Sequence, residues 1–401
     1  MNSSLNQGQR FRSFFNAKAG CAGAGAFQFN SILRLFTGAG QALMRATSAV
    51  VRLSAISHNL EVAARLAPGS KIMAVIKANA YGHGAVRVGL ELQANVPAFA
   101  VAFFDEAVQL REAGITRPIL ILQGSTSEAD VAEAAARDFW LMLYDQQQVD
   151  RVLRARPGLP VRVWIKVDTG MNRLGLSAAE LDRAFHALSE SPNVAPGMVL
   201  CTHMACADES GNPMTHAQVQ QIRNYAMKYK LPCSIANSAA IMAWPESHAD
   251  WNRPGYMLYG NSPFGSFETH SGGLMPAMTM TSQIISIRQV PAGESTGYGR
   301  DWVAKKDSIL GMVSIGYGDG YPRHAANGTP VLVNGQRVPL AGRVSMDMIA
   351  VDITVLKGVK IGDPVELWGD ALSIDEVAAS SGTIGYEILA GLTGRVPITY
   401  A

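Results

Sequence analysis

From residue 71 onward, short apolar runs alternate with stretches whose apolar positions recur at helical spacing. The runs are KIMAVIK, AFAVAF, PILILQ, FWLMLY, VRVWIKVD, GMVLCTHM, CSIANS and GYMLYG. Strands this continuously apolar are covered on both faces, as in parallel βαβ units. The segments between them carry helix starts: Ser125-x-x-Glu128 and Ser177-x-x-Glu180 can each form a capping box. Eight such runs predict an α/β chain whose N-terminal part, residues 44–275, is a TIM-type (β/α)8 barrel. An open doubly wound sheet is the rival, but no GxGxxG follows the first run.

After about residue 275 the texture changes to alternating strands: MTMTSQIISIRQV, SILGMVSI, PVLVNGQRVPL and MIAVDIT. Asn334-Gly335 is a hairpin signal, and Ser373-x-x-Glu376 marks one short helix. Residues 276–401 are therefore expected to form a mostly β C-terminal domain, with which the first residues of the 44–275 segment can pair.

In a (β/α)8 barrel the active site lies at the carboxyl ends of the strands. The polar residues that interrupt the runs fall there: Lys77, Lys166 with Asp168, His203, and Asn237 with Ser238. Arg253 comes slightly ahead of the last run. A buried lysine has its pKa lowered and becomes nucleophilic near neutrality; the alternative for Lys77 is a side chain that snorkels to water. Tyr81 follows four residues on, and Gly84 permits close approach of a ligand to the backbone. Arg173, after a glycine-bearing turn, suits bidentate grip of a carboxylate, although surface exposure is the commoner fate of a loop arginine. A hydroxyl and backbone amides at Asn237-Ser238 suit a phosphate.

Composition narrows the class without naming it. Of 401 residues 48% are hydrophobic and 16% charged, which suits a large-cored enzyme. Four of the 34 basic residues and no acid fall in residues 1–43, so the rest carries 30 basic residues against 32 acidic. That leaves no basic field for nucleic acid, and no run is long enough to cross a membrane. Residues 1–43 are read as a disordered extension or an upstream in-frame stretch ahead of a start at Met44, with an organellar transit peptide as the alternative. The four cysteines form neither a CxxC pair nor a metal-ligand spacing with histidine. No metal is expected, and free thiols fit a reducing cytoplasm.

The stretches VIKANAYGHG (75–84), WIKVDTGMNRLG (164–175), THMACADE (202–209), ANSAA (236–240) and NRPGYMLYG (252–260) closely resemble motifs of bacterial alanine racemases. STGYGRDW, SIGYGDGYPR, GRVSMDM and TIGYEIL continue the likeness to the end of the chain. The resemblance implies pyridoxal 5'-phosphate on Lys77, with Tyr81 and Tyr386 at its phosphate. It also gives Gly255 and Tyr256 amides there, Arg253 at the pyridine nitrogen, and His203 hydrogen-bonded to that arginine. It gives Arg173 and Met346 to the substrate carboxylate and Tyr317 with Tyr386 to a gate, and it marks Lys166 for carbamylation. Lys77 and Tyr298 become the two opposed bases of racemisation, with Tyr298 and Met346 completing the site of the partner in a homodimer. Two departures stand out: Tyr256 where an aliphatic residue is usual, and Ser345 in place of a cysteine.

The activity implied is L-alanine to D-alanine interconversion for peptidoglycan. A broad-specificity racemase is the nearest alternative, against which the retained Arg173 counts. A cofactor-binding protein without turnover would lack the domain that carries Tyr298. A sugar- or phosphate-binding barrel would leave Lys77 structural.

Overall fold

The structure is a computed structural model that describes residues 45–265 and 271–401. The extension expected over residues 1–43 lies outside the described residues, as does Cys21. The chain from Arg45 onward forms one compact unit. It opens with strand β1, Ser48–Val51, and the helix Leu53–Leu66. A closed parallel barrel follows: β2 Lys71–Val75, β3 Ala98–Val101, β4 Ile119–Ile121, β5 Phe139–Leu143, β6 Val163–Lys166, β7 Val199–Cys201, β8 Cys233–Ser234 and β9 Trp251–Asn252. Helices lie between most successive strands, as the alternating pattern requires.

The TIM-type barrel and the mostly β C-terminal domain match the expected fold class. One strand was misplaced. GYMLYG is not the eighth barrel strand: Tyr256–Tyr259 is a 3-10 turn, and the barrel closes on Trp251–Asn252. Two residues are too few to show a period, and Pro254 ends the strand by lacking an amide donor. The shift sets Arg253 at the carboxyl end of β9. A helix start also moves, because Ser127 caps Glu128–Ala136 and the reciprocal carboxylate is Asp130. Ser177 and Glu180 do form the expected box.

The barrel interior is solid. Trp140, Trp164 and Trp251 pack together with ring centroids 5.5–6.2 Å apart, in one cluster with Met73, Leu120 and Val199. Ligands are thereby confined to the mouth.

The C-terminal region builds a second sheet from β10 Met278–Val290, β11 Ser295–Thr296, β12 Trp302–Val303, β13 Ser308–Val313, β14 Pro330–Val333, β15 Gln336–Pro339, β16 Ile349–Asp352, β17 Pro364–Trp368 and β18 Ile398–Tyr400, with β11 and β12 paired apart. β14 and β15 are joined by Asn334-Gly335, whose φ values of 51° and 73° belong to a tight hairpin turn. β1 lies between β10 and β18, with Ala49 opposite Met280 on one side and Ile398 on the other. Two helices follow β17, Ile374–Ser380 and Gly385–Ala390, where the pattern had marked one.

One buried side chain joins the entry helix to the segment that carries the last barrel loop. Asn59 donates to Leu258 O at 3.0 Å and Met275 O at 2.8 Å, and accepts from the Met275 amide at 2.8 Å. Leucine has the same bulk but leaves the buried Leu258 carbonyl and the part-buried Met275 amide and carbonyl unpaired, an unmade buried bond costing about 1–3 kcal/mol. Asn59→Leu should therefore lower stability by roughly 3 kcal/mol or more, read as a lower urea midpoint at unchanged slope.

Candidate active site

The lysine at the end of β2 is delivered by an unusual turn. Ala78, Asn79 and Ala80 adopt φ/ψ of 51/51, 53/45 and 54/48, and Tyr81 follows at φ 51. Each costs a non-glycine residue of order 1–2 kcal/mol. The cost is offset by clamps on every side. The Ala78 amide donates to Glu106 Oε1 at 2.6 Å, and Asn79 Oδ1 accepts from the Ala85 amide at 2.9 Å. His83, wholly buried, places Nδ1 2.8 Å from Tyr81 O and 3.1 Å from Ala80 O. Nδ1 must carry the proton, since carbonyls only accept. The imidazole also stacks on Tyr259 at 4.5 Å, and the Tyr259 hydroxyl donates to Val75 O at 3.0 Å. Gly84 does permit close approach, but the group that fills the space is the Tyr400 hydroxyl.

Around Lys77 the strand ends gather cations. Lys77 is pushed below its ordinary pKa by burial and by Arg173, with Glu106 opposing. Lys166 is lowered by burial and by Arg253, Arg173 and Lys77. His203 is held neutral by burial and by the same four cationic side chains. Arg253 is buried, and its guanidinium donates to Thr202 O at 2.7 Å and to Ser234 Oγ. Among the described residues no hydrogen bond links the His203 ring to Arg253, so the contact expected from the resemblance is here one of charge alone. Asp168 turns the following loop by accepting from the Gly170 and Asn172 amides, which leaves Arg173 exposed at the rim.

A second set of groups converges beside the turn. Asn237 caps the helix Ser238–Ala243 through the Ala240 amide at 3.0 Å. Ser238 Oγ accepts from the amides of Gly255 at 3.0 Å and Met257 at 3.3 Å. The Tyr81 hydroxyl lies so near Gly255 that a Cβ there would meet it at 2.7 Å. Tyr386 lies 6.1 Å from Tyr81, ring to ring. Two hydroxyls and a run of amides thus share one small region, chemistry suited to a phosphate.

A family model for the alanine racemase N-terminal domain matches residues 51–263, and one for the alanine racemase C-terminal domain matches residues 277–400. The chain belongs to the alanine racemase family. The biosynthetic alanine racemase of Pseudomonas aeruginosa is 46% identical over 358 residues, covering 89% of this chain and 100% of that protein. The alanine racemase of Stutzerimonas stutzeri is also 46% identical, over 89% of this chain and 99% of its own. The crystal structure of the Pseudomonas enzyme superposes with a TM-score of 0.87 at 45% identity, covering 89% of this chain and 100% of that one. A Bartonella henselae alanine racemase with covalently bound pyridoxal phosphate superposes at 0.80 and 29% identity, over 88% of this chain and 99% of that one.

The remaining racemase-like residues sit on the C-terminal domain. Tyr298, Tyr317 and Met346 are 68%, 39% and 52% exposed, so this chain alone leaves them uncovered. The Tyr317 amide donates to Ser345 O at 3.0 Å, which sets Tyr317 beside Met346. Among the described residues neither Tyr298 nor Met346 shares a hydrogen bond or ion pair with Lys77. Three participants escaped the sequence pattern: Glu106, Tyr259 and Asp375. Glu106 and Asp375 each fall in the first turn of a helix, where an acid reads as ordinary helix-end chemistry, and Tyr259 lies inside a run taken for a strand.

Burial lowers the His83 pKa to about 4, against an ordinary value of about 6.5. The native state therefore refuses a proton that the unfolded chain accepts. Stability is complete above about pH 6.5 and falls, by about 3 kcal/mol in all, as pH drops towards 4. His83→Asn keeps a donor in the Nδ1 position but cannot titrate. Chemical denaturation from pH 7 to 4 should show a shallower loss in this variant than in the native chain.

Proposed function

We propose that this chain interconverts L- and D-alanine with pyridoxal 5'-phosphate, as a cytoplasmic homodimer that supplies D-alanine for peptidoglycan. The observation that carries the reading is Lys77, depressed in pKa among cations, with a group of hydroxyls and amides beside it. The residues suit the cofactor. Four cationic side chains gather, and among the described residues Glu106 is the acid that acts on Lys77, which favours an anionic group. Gly255 leaves room where a Cβ would press on Tyr81. Tyr81, Ser238, Tyr386 and the amides of Gly255, Tyr256 and Met257 would hold the phosphate, and Arg253 the pyridine nitrogen. Bound there through Lys77, pyridoxal phosphate acidifies the α-hydrogen of an amino acid by withdrawing electrons from that carbon.

The chain's own groups do the rest. The Lys77 amine is nucleophilic because burial and Arg173 disfavour its protonated form. As a free amine it would take or return a proton on one face of the substrate. Tyr298 of the partner subunit serves the other face. A phenol needs neighbouring cations to work as a base, and Arg343 lies close enough that a Cβ on Gly299 would meet its Cζ at 2.9 Å. Arg173 and the Met346 amide hold the substrate carboxylate. The guanidinium of Arg253 has no lone pair to take up a further proton, which restricts the chemistry to exchange at the α-carbon. Lys166 stands where its positive charge is opposed by three others. Carbamylation would turn it into an anion able to orient Arg173.

The exposure of Tyr298 and Met346 supports the dimer, because a site needing them must receive them from another copy. Tyr317 and Tyr386 narrow the entrance and suit a methyl side chain.

Lys77→Ala should abolish both racemisation and the visible absorbance of bound pyridoxal phosphate; a variant that still racemises L-alanine overturns the reading. Tyr298→Phe should slow racemisation roughly 10²–10⁴-fold while the cofactor stays bound. Loss of cofactor there would make Tyr298 structural. Light scattering on the active protein should give twice the chain mass, and an active monomer would refute the shared site.

A further inference from the structure

The buried carboxyl of Asp375 has no place in the chemistry above, yet it reaches the floor of the phosphate region. It lies in the helix Ile374–Ser380 of the C-terminal domain and accepts the Tyr256 hydroxyl at 2.5 Å, across 119 positions of chain. Tyr256 is a barrel residue, 1% exposed, between the two amides that meet Ser238. Its ring lies flat on Tyr386, centroids 3.7 Å apart and planes within 11°. Gly385 completes the fit: a Cβ there would run into the Tyr256 hydroxyl and come within 2.6 Å of Asp375 Oδ1. The helix that begins at Gly385 can take its place only because no side chain stands at its first position.

Asp375 is costly to keep. Among the described residues it pairs with no arginine or lysine, and burial pushes its pKa up to about 6. The titratable groups that face this cluster are phenols and acids: Tyr256 on Asp375, with Tyr81, Asp208 and Asp375 on Tyr386. A carboxyl so placed adds little to folding, whereas its bond fixes one aromatic plane in a region that holds an anion.

We propose that Asp375 is a positioning residue for cofactor retention: through the Tyr256 hydroxyl it fixes the plane of Tyr386 and the 255–257 amides that receive the phosphate. The inference rests on the reading of the site as one for pyridoxal phosphate. Asp375 touches neither cofactor nor substrate. Its contribution reaches the phosphate end alone, which separates it from a general effect on folding.

The test is equilibrium dialysis of the full-length protein against pyridoxal 5'-phosphate and, in parallel, against pyridoxal, which has the same ring and aldehyde without the phosphate. Asp375→Ala should weaken pyridoxal phosphate about tenfold, the scale of one hydrogen bond to a carboxylate, and leave pyridoxal unchanged. Asp375→Asn, which keeps a carbonyl acceptor, should restore affinity to within about twofold. Tyr256→Phe should match Asp375→Ala, and the double variant should add nothing further. If Asp375→Ala fails to fold, Tyr256→Phe carries the same comparison with its ring intact. Equal weakening of both ligands, unchanged affinity, or additive effects in the double variant would overturn the proposal. If the native protein binds no pyridoxal phosphate, the reading of the site falls instead, and the two failures are distinct.

Discussion

Everything at the barrel mouth depends on a left-handed turn that alanine and tyrosine do not choose for themselves. Ala78 to Tyr81 hold positive φ at a summed cost of several kcal/mol. The benefit is geometric. Lys77 stands at the start of the turn and Tyr81 at its end, so the amine and the phenol are fixed relative to each other by backbone. The turn survives because each side is engaged: Glu106 from the next barrel unit, His83 from within, and the helix Gly385–Ala390 from the C-terminal domain, whose Leu389 carbonyl lies against Gly82. His83 has a conspicuous place in the motif and no chemical part to play. It works as the clamp, neutral and protonated on Nδ1, and burial keeps its pKa low although the two carbonyl bonds oppose the shift.

The electrostatic logic of the mouth follows from what surrounds that turn. Arg173 lowers the pKa of Lys77, and Arg253, Arg173 and Lys77 lower that of Lys166; among the described residues Glu106 is the carboxylate that opposes the shift at Lys77. Such repulsion is tolerable only where an anion relieves it or where one cation gives up its charge. Under the proposed function, a phosphorylated cofactor and a carboxylate substrate would supply the first. The lowered pKa of Lys166 would favour the second, since a neutral amine is the form that reacts with carbon dioxide. The carbonyl partners of Arg253, on Thr202 and Ile235, hold the guanidinium in place without neutralising it.

Much of this was legible in the residues. Near-continuous apolar runs announced a barrel, and the polar residues interrupting them fall at its mouth, because strand ends are where a parallel sheet stops being covered. Lys77, Lys166 and His203 came from that rule alone. The eighth strand did not, because Trp251–Asn252 is too short to show any period while the apolar run after it coils into a 3-10 turn. Glu106 and Asp375 were hidden for a different reason: an acid in the first turn of a helix is so common that it carries no local signal. Their partners are 28 and 119 positions away, and only folding brings them together.

The same distinction explains how the two parts of the chain divide the work. The barrel can place a lysine, a phosphate cradle and a row of cations, all from strand ends. It cannot supply an acid–base group on the opposite side of a planar ligand, because every strand end approaches from the same floor. Such a group must come from outside the barrel, and the loops bearing Tyr298, Tyr317 and Met346 offer one at the cost of exposing large side chains to water. An uncovered phenol and thioether on one face are unfavourable in a lone chain and useful in a pair. A second copy that covers them would contribute the missing face, so that assembly and catalytic competence become a single event. The C-terminal helices dock on the left-handed turn and on Tyr256, so a domain that completed a neighbour's site would also hold the mouth of its own barrel in shape.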